Sequence, residues 1–187
     1  MQVASLGFAP YNNTSSLLDL STARSLIRTA SSLADIVVVA IHAGAEGSGA
    51  LHVTGHEEYD VGEDRGNPER FAHMAVNAGA DLILGSGPHV LRGMEIYRRR
   101  LIAYSLGNFA GFHNFNTSGV LSLSAILHIS LDAHGRFRSQ RITSVRLVGP
   151  GRPVPDRRRS AANLINHLSR ADFGRAVPAQ AGSTAAN

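Results

Sequence analysis

Residues 81–90 read DLILGSGPHV, a short apolar run that breaks into glycines and then presents His89. A continuous apolar run of this length, bounded by turn residues, is typical of a strand that is covered on both faces of a sheet. The glycines and Pro88 end that strand abruptly. Ligands of open α/β sheets bind at the carboxyl ends of the strands, so this stretch predicts both a core strand and a candidate functional histidine.

Upstream of this strand, the chain alternates between apolar runs and amphipathic segments. Residues 3–10 predict a short strand ended by proline, and residues 19–33 carry apolar side chains at helical spacing. A second buried strand is expected at 35–41. A helix is expected to begin at Asn67–Pro68, with asparagine as the N-cap, and to end at Gly79. The order β-α-β-α-β predicts a parallel sheet with right-handed crossovers.

The pattern also predicts which strands are neighbours and where the sheet is exposed. The strands at 35–41 and 81–85 are expected to be parallel neighbours, because a helix connects them and crossovers favour adjacent strands. Residues 43–66 are rich in glycine and acidic side chains and predict a long loop. If an N-terminal half is missing, the strand at 3–8 or one beside it is expected to expose apolar surface, which would make the chain alone poorly soluble or self-associating.

After residue 90 the chain changes to antiparallel patterns. Two short strands are expected around the turn Arg98–Arg100. Residues 119–131 and 136–148 alternate apolar and polar side chains on either side of DAHG, which is a strong hairpin signal. Residues 160–170 predict a short helix, and the small and polar residues beyond Phe173 predict a mobile tail.

Taken together, these patterns predict an α/β fold without a separate second domain. Residues 1–150 are expected to form a parallel β-α-β-α-β unit followed by antiparallel hairpins. Residues 151–187 are expected to hold the short helix and the tail. A chain of 187 residues is long enough for one medium-sized domain with a real core.

Composition argues against several classes of protein. The clusters Arg98–Arg100 and Arg157–Arg159 lack the interleaved aromatic residues that stack bases, and the formal charge is only +4, so we expect no nucleic-acid partner. A basic module that binds polyanions without metal stays open as an alternative. The absence of cysteine excludes disulfides and thiolate metal sites. No segment reaches the roughly twenty apolar residues of a membrane span, and the N-terminus lacks the pattern of a secretory signal.

Two histidines stand at equivalent positions, each directly after a predicted buried strand. Adjacent strands are about 5 Å apart, so His42 and His89 could reach one metal site. Neutral imidazole suits zinc, iron or manganese ions, and Glu46 could add a carboxylate. The alternative is that either histidine is an ordinary loop residue. His52 and His56 are weaker candidates, and the other histidines are expected to be ordinary surface or turn residues: His73, His113, His128, His134 and His167.

Three blocks carry a resemblance to a known family: DIVVVAIHAGAE, NAGADLILGSGPHVLRGMEIY and LIAYSLGNF. In their order and spacing they resemble the C-terminal part of the CapA family, the poly-gamma-glutamate capsule synthesis proteins of bacteria, over roughly residues 3–115. The resemblance implies a calcineurin-like metallophosphatase sandwich as the fold. It also implies an anionic capsule polymer or its precursors as partners, and a location at the cell surface.

The resemblance further implies a site with two divalent metal ions. His42 and His89 would be metal ligands, and Glu46 matches the family's acidic residue after the first histidine. Asn108, in the SLGN block, would lie near the site with Glu46 as a catalytic candidate, although a turn-forming role is the equal alternative. In such a centre, the metal ions polarise the substrate and activate a water molecule for hydrolysis.

Two departures from the family pattern lead to a second hypothesis. The family usually has a further histidine two or three positions before His89, where this chain has Ser86 and Gly87. The family's GD and NNH motifs, which provide much of the metal site, do not precede VASLGF here. We therefore expect the chain to correspond to the C-terminal part of the domain. It is either a metal-dependent hydrolase when complete, or a non-catalytic fragment or assembly subunit that docks onto a missing N-terminal half or a partner chain.

Overall fold

The computed structural model describes residues 1–178, so most of the predicted mobile tail lies outside the described residues. None of the helices in this range is long and apolar enough to cross a membrane. The strands, in chain order, are β1 (Val3–Phe8), β2 (Ile36–His42), β3 (Tyr59–Asp60), β4 (Glu63–Asp64), β5 (Leu82–Ser86), β6 (Met94–Tyr97), β7 (Arg100–Ala103), β8 (Leu123–Leu131), β9 (Phe137–Val148) and β10 (Arg152–Pro155). The helices are α1 (Leu20–Leu33), α2 (Pro68–Ala78) and α3 (Ser160–Phe173), and a 3₁₀ helix spans Gly119–Ser122.

The main sheet has five strands in the order β1-β2-β5-β7-β6. Its first four strands are parallel, and β6 pairs antiparallel with β7. Strands β2 and β5 are direct neighbours with His42 opposite Ser86, so the predicted pairing of these two strands is confirmed. The predicted α/β class, with parallel strands first and antiparallel hairpins afterwards, is also confirmed.

The ends of α1 and α2 follow the local chemistry that the sequence predicts. Asp19 caps α1 by accepting hydrogen bonds from two backbone N–H groups of the first turn. Asn67 caps α2 in the same way through the N–H of Arg70, and Pro68 occupies the first turn, where its missing N–H costs nothing. Gly79 ends α2 at a φ of 116°, a left-handed conformation that glycine adopts without a steric penalty.

Alternate side chains of the central strands face two separate cores, as expected for strands buried on both sides. Ile83 and Ile102 lie in the core beneath α1 and α2, where Phe71 is also buried. Leu82 and Leu101 lie in the opposite core. That second core is closed by the antiparallel sheet β10-β9-β8 and by α3. Full burial of one such side chain contributes about 1.5–3 kcal/mol, so both layers hold the sheet in place.

Three elements differ from the prediction in their boundaries. The segment 43–66 contains the short hairpin β3–β4, because strands of two residues are too short to show any periodicity. The strand expected from residue 119 begins at Leu123, after the 3₁₀ helix. Helix α3 continues to Phe173 instead of ending at residue 170, and Gly174 ends it in a left-handed conformation.

Strand β1 forms one edge of the main sheet, because it pairs with β2 alone. Its side chains alternate between exposed and half-buried positions up to Phe8, which is buried, and Val3 is 57% exposed. An unpaired strand edge with apolar side chains favours association with another chain. Poor solubility or self-association therefore stays a prediction for this protein.

Candidate functional site

The end of β5 and the turn that follows it each require a glycine, for different reasons. A Cβ atom on Gly85, within β5, would lie 2.0 Å from the carbonyl oxygen of Tyr104. A Cβ atom on Gly87 would lie 2.9 Å from both the backbone nitrogen and oxygen of Ala43, and Gly87 has a φ of 117°. The loops after β2 and β5 can therefore touch backbone to backbone, which brings His42 and His89 to the same edge of the sheet.

His89 is held in an unusual conformation by its neighbour Asn108. Its φ is 59°, a region that residues other than glycine rarely adopt and that is common at functional sites. Nδ1 lies 2.6 Å from Asn108 Oδ1, and the Asn108 amide group donates to the carbonyl oxygen of His89. Nε2 lies 3.4 Å from Glu46 Oε2. Each ring nitrogen of His89 therefore faces an oxygen that can accept a hydrogen bond.

His42 ends β2 and takes part in a second set of hydrogen bonds. Its Nε2 lies 3.4 Å from Nη2 of Arg65, which can only donate, so Nε2 is the acceptor. Its Nδ1 lies 3.5 Å from the hydroxyl oxygen of Ser86, which in turn donates to the carbonyl oxygen of Ile41. Burial lowers the pKa of His42, and the positive charge of Arg65 lowers it further. The imidazole of His42 is therefore neutral in this arrangement.

Arg65 is the site residue that sequence reasoning missed. Its side chain is buried, and Nη2 donates to the Glu46 carboxylate as well as to His42. Nη1 lies 3.4 Å from Glu63 Oε2, and the guanidinium carbon lies 5.3 Å from the centre of the Tyr11 ring, within cation–π range. The only signal in the sequence is an arginine that closes an acidic stretch, which is also typical of an exposed loop.

The hairpin β3–β4 places Arg65 through its backbone. The Arg65 N–H donates to the carbonyl oxygen of Glu58, and the Glu58 N–H donates to the carbonyl oxygen of Gly66. The Arg65 carbonyl oxygen accepts from the N–H of Gly44, two residues after His42. Arg65 is therefore attached both to its own hairpin and to the loop that follows β2.

A buried ion pair holds the start of this hairpin in place. Arg92 and Glu58 form two parallel hydrogen bonds, of 3.0 Å (Nη1–Oε1) and 2.6 Å (Nη2–Oε2). Arg92 Nε donates to the carbonyl oxygen of Ala50, and Glu58 Oε2 also accepts from the N–H of Ala45. All of these groups are satisfied, as a buried charge pair requires. The pair fixes the loop that carries Glu46.

All four site residues predicted from the sequence lie at this one edge of the sheet: His42, Glu46, His89 and Asn108. The weaker candidate His52 lies elsewhere, with Nδ1 2.6 Å from Asp172 of α3. His73 also lies elsewhere; its Nε2 is 2.9 Å from Glu95 Oε2, and its ring stacks on Tyr97. The site therefore uses the two histidines at the strand ends.

An open cavity of about 370 Å³ lies beside His89 and Glu46. Asn108, Asn114 and Asn116 line it with amide groups that can donate and accept hydrogen bonds. Its apolar wall comes from Phe115 and Leu121. The cavity offers a polar surface with one ionisable imidazole rather than a closed apolar pocket.

By themselves, the described side chains do not form a metal site. A metal site needs a converging group of three or more donors, and residues 1–178 contain no such group of His, Cys, Asp or Glu side chains. The guanidinium of Arg65 already pairs with Glu46 and lies against His42 Nε2, the atoms that a metal would need. Ser86 contributes a hydroxyl next to His42, which is a weaker metal donor than an imidazole.

Comparison with known proteins places the chain in a family. Residues 3–112 match the family model described as "Bacterial capsule synthesis protein PGA_cap". The "PGA biosynthesis protein CapA" of Bacillus subtilis (strain 168) is 34% identical over 140 residues, which cover 72% of this chain and 32% of that protein. The "Capsule biosynthesis protein CapA" of Bacillus anthracis is 42% identical over 76 residues, or 41% of this chain and 15% of that protein.

The alignment also gives the share of a relative's length that this chain covers. The chain spans about a third of the length of the B. subtilis protein. Parallel strands followed by antiparallel hairpins are consistent with part of a metallophosphatase-like fold, as the resemblance implied. The family match contains His42, Glu46, Arg65, His89 and Asn108, whereas the cavity residues from Asn114 to Leu121 lie beyond it. The chain therefore belongs to the PGA_cap family of bacterial capsule synthesis proteins.

Proposed function

We propose that this protein takes part in the synthesis of an anionic capsule polymer of the poly-gamma-glutamate type, and that its site contacts the polymer or a precursor. One observation carries the proposal: the stretch that matches the capsule synthesis family contains His42 together with Glu46, His89 and Asn108, of which the last three line the cavity. The names of the two Bacillus relatives support the same role.

The chemistry of the cavity suits a polymer that carries both amide groups and carboxylates. The asparagine side chains can donate to carboxylate or carbonyl oxygens and can accept from backbone N–H groups of the polymer. His89 and Glu46 would hold a proton at Nε2, where it can be given to or taken from a bound group. The net charge of +4 attracts an anionic polymer at long range.

A capsule measurement in the source bacterium tests this role. Deletion of the gene should lower the amount of capsule polymer, and the intact gene should restore it. His42→Ala and His89→Ala should fail to restore it, although the purified variants keep the far-ultraviolet circular dichroism of the parent. His52→Ala is the matched control, since His52 lies away from the cavity and should restore the capsule fully. An unchanged amount of capsule after deletion would refute the proposal.

Metal-dependent hydrolysis is the second candidate function. The observation that favours it is the contact between Asn108 and His89 Nδ1, because metal-binding histidines are usually oriented by a hydrogen bond to the other ring nitrogen. Divalent metal ions, two in the family site, would supply an activated water molecule. His42 and His89 would be ligands, and the remaining ligands would come from another segment or a partner chain. Such a complete protein would act at the cell surface.

Hydrolysis assays separate this candidate from a non-catalytic assembly role. The purified chain would be incubated with a phosphodiester and with poly-gamma-glutamate, in the presence of Mn²⁺ or Zn²⁺. The hydrolase candidate expects turnover once the segment or partner chain that supplies the remaining ligands is added, and this turnover should be lost in His89→Ala and retained in His52→Ala. The assembly candidate expects no turnover even after that addition, together with loss of capsule in the deletion strain. Turnover that survives both His42→Ala and His89→Ala would exclude this site as its source.

A further inference from the structure

The guanidinium of Arg65 lies between His42 and Glu46. One nitrogen, Nη2, contacts both partners: it donates to the Glu46 carboxylate and lies 3.4 Å from His42 Nε2. Glu46 then reaches His89 through its second oxygen. The four side chains form a continuous series, called here the site chain: His42, Arg65, Glu46 and His89.

The position of Arg65 is built into the fold. Its backbone is bonded on one side to Glu58 and on the other to Gly44, and Glu58 is fixed by its ion pair with Arg92. Its residue surface is only 4% exposed. The side chain packs against the ring of Tyr11, and its Nε is buried without a hydrogen-bond partner in the part of the chain that the structure describes. A buried donor left unsatisfied is costly, so packing and the contacts at Nη1 and Nη2 must hold this side chain in place.

A guanidinium in this position opposes metal binding in two ways. It stays positively charged at any ordinary pH, so it repels a divalent cation that approaches the same carboxylate. It also uses the atoms that a metal would need, since Glu46 Oε1 and His42 Nε2 both accept from Nη2. The donor set of His42, Glu46 and His89 is therefore already satisfied without a metal ion.

We propose that Arg65 is a built-in cation that replaces a metal ion in this chain. Its guanidinium holds the site chain together and excludes divalent cations from His42, Glu46 and His89. A neutral side chain at position 65 would free His42 Nε2 and the Glu46 carboxylate to move together with His89 onto one metal ion. This proposal concerns the chain's own residues and does not depend on the proposed role in capsule synthesis.

Zinc titration of the full chain by isothermal calorimetry tests the proposal. Arg65→Met removes the charge and the donors while keeping an unbranched stem, and it should bind one Zn²⁺ at least about tenfold more tightly than the parent chain. Arg70→Met is the matched control, because Arg70 is an exposed arginine that pairs with Glu57 outside the site. It removes the same charge and should leave zinc affinity unchanged. Adding His89→Ala to Arg65→Met should abolish the gain.

Two results would overturn the proposal. The first is a folded Arg65→Met variant that binds zinc no more tightly than the parent chain. The second comes from zinc titration of variants that keep Arg65, which tests the proposal even if Arg65→Met does not fold. If Arg65 excludes the metal, the parent chain, His42→Ala and His89→Ala should bind zinc with the same affinity. One tight equivalent of zinc in the parent chain, lost in both histidine variants, would show that Arg65 does not exclude the metal.

Discussion

Two arginine–carboxylate pairs lie a short distance apart in this protein, and they differ in how completely they are satisfied. Arg92 and Glu58 have side chains that are 1% and 7% exposed, and they are joined by two parallel hydrogen bonds. Arg92 Nε and Glu58 Oε2 have further backbone partners. This pair, called here the closed pair, is buried and its charged groups all have partners within the protein, so its role is structural.

The pair Arg65–Glu46, called here the open pair, is partly exposed to solvent. The Arg65 side chain is 5% exposed, but the Glu46 side chain is 29% exposed and lines the cavity. Glu46 is shared between Arg65 and His89, and Arg65 is shared between Glu46, Glu63 and His42. Shared partners that face solvent can be exchanged for a ligand, whereas a closed pair cannot. The same chemical pair therefore serves as a support in one place and as a candidate site in the other.

The largest expected effect is the loss of the closed pair. Arg92→Met leaves the Glu58 carboxylate buried without its partner and should lower the free energy of unfolding by about 3–5 kcal/mol. Urea denaturation of the variant and of the parent chain measures this difference. A loss below about 1 kcal/mol, the range of exposed ion pairs, would contradict the comparison.

The next effect tests how tightly the closed pair is packed against the loop after β2. A Cβ atom on Gly44 would lie 2.8 Å from both Arg92 Nη1 and Glu58 Oε2, and Gly44 has a φ of 92°. Gly44→Ala should therefore lower the free energy of unfolding by about 1–3 kcal/mol. Gly47→Ala is the control, because Gly47 has the same φ with no atom within 4 Å of the new Cβ. Equal losses in both variants would mean that backbone strain alone is responsible.

A smaller effect on stability is expected in the open pair. Glu46→Gln removes a charge that is partly exposed, and Arg65 keeps Glu63 as a partner, so the free energy of unfolding should fall by only about 1 kcal/mol. Thermal and urea denaturation of Glu46→Gln and Glu58→Gln, measured side by side, give the contrast. A loss in Glu46→Gln as large as that in Glu58→Gln would show that both pairs are structural.

The smallest expected effect on stability comes from the exposed carboxylate of Asp19, which lies outside both ion pairs. Hydrogen bonds from the Thr22 hydroxyl and from backbone N–H groups keep the pKa of Asp19 below its ordinary value of 3.8. The cap therefore stabilises α1 above the ordinary pKa, and this contribution is lost as the pH falls through the lowered, folded-state pKa. Asp19→Ala should be less stable than the parent chain at neutral pH, and the difference should shrink in strong acid. Denaturation curves at a series of pH values measure it; a difference independent of pH would contradict this account.

The comparison also shows what sequence reasoning can find. His42 and His89 could be predicted because they lie at and just beyond the ends of two buried strands, and parallel strands bring their carboxyl ends to one edge. Helices α1 and α2 could be predicted because caps and apolar spacing are local signals. Arg65 could not be predicted, since its place depends on a hairpin of two-residue strands and on contacts with Gly44, Glu46 and His42.

The expectation of metal ions stays a prediction, and it illustrates the same limit. Residue types at strand ends are enough to suggest imidazole and carboxylate ligands, and the family resemblance points the same way. Whether those ligands are available depends on what else occupies the space between them. Here a guanidinium from a segment that the sequence predicts only as loop lies between His42 and Glu46.

By itself, the sequence determined the α/β order of elements, the caps of two helices, the pairing of β2 with β5 and the edge of the sheet at which the site lies. These features depend on local spacing and on the short connections between neighbouring elements. Only the tertiary structure decided which charges meet at that edge. The closed pair Arg92–Glu58 joins residues 34 positions apart, and Arg65 lies 19 positions from Glu46 and 23 from His42. Contacts of this kind depend on packing and on the need to pair buried charges. Local sequence patterns therefore do not predict them.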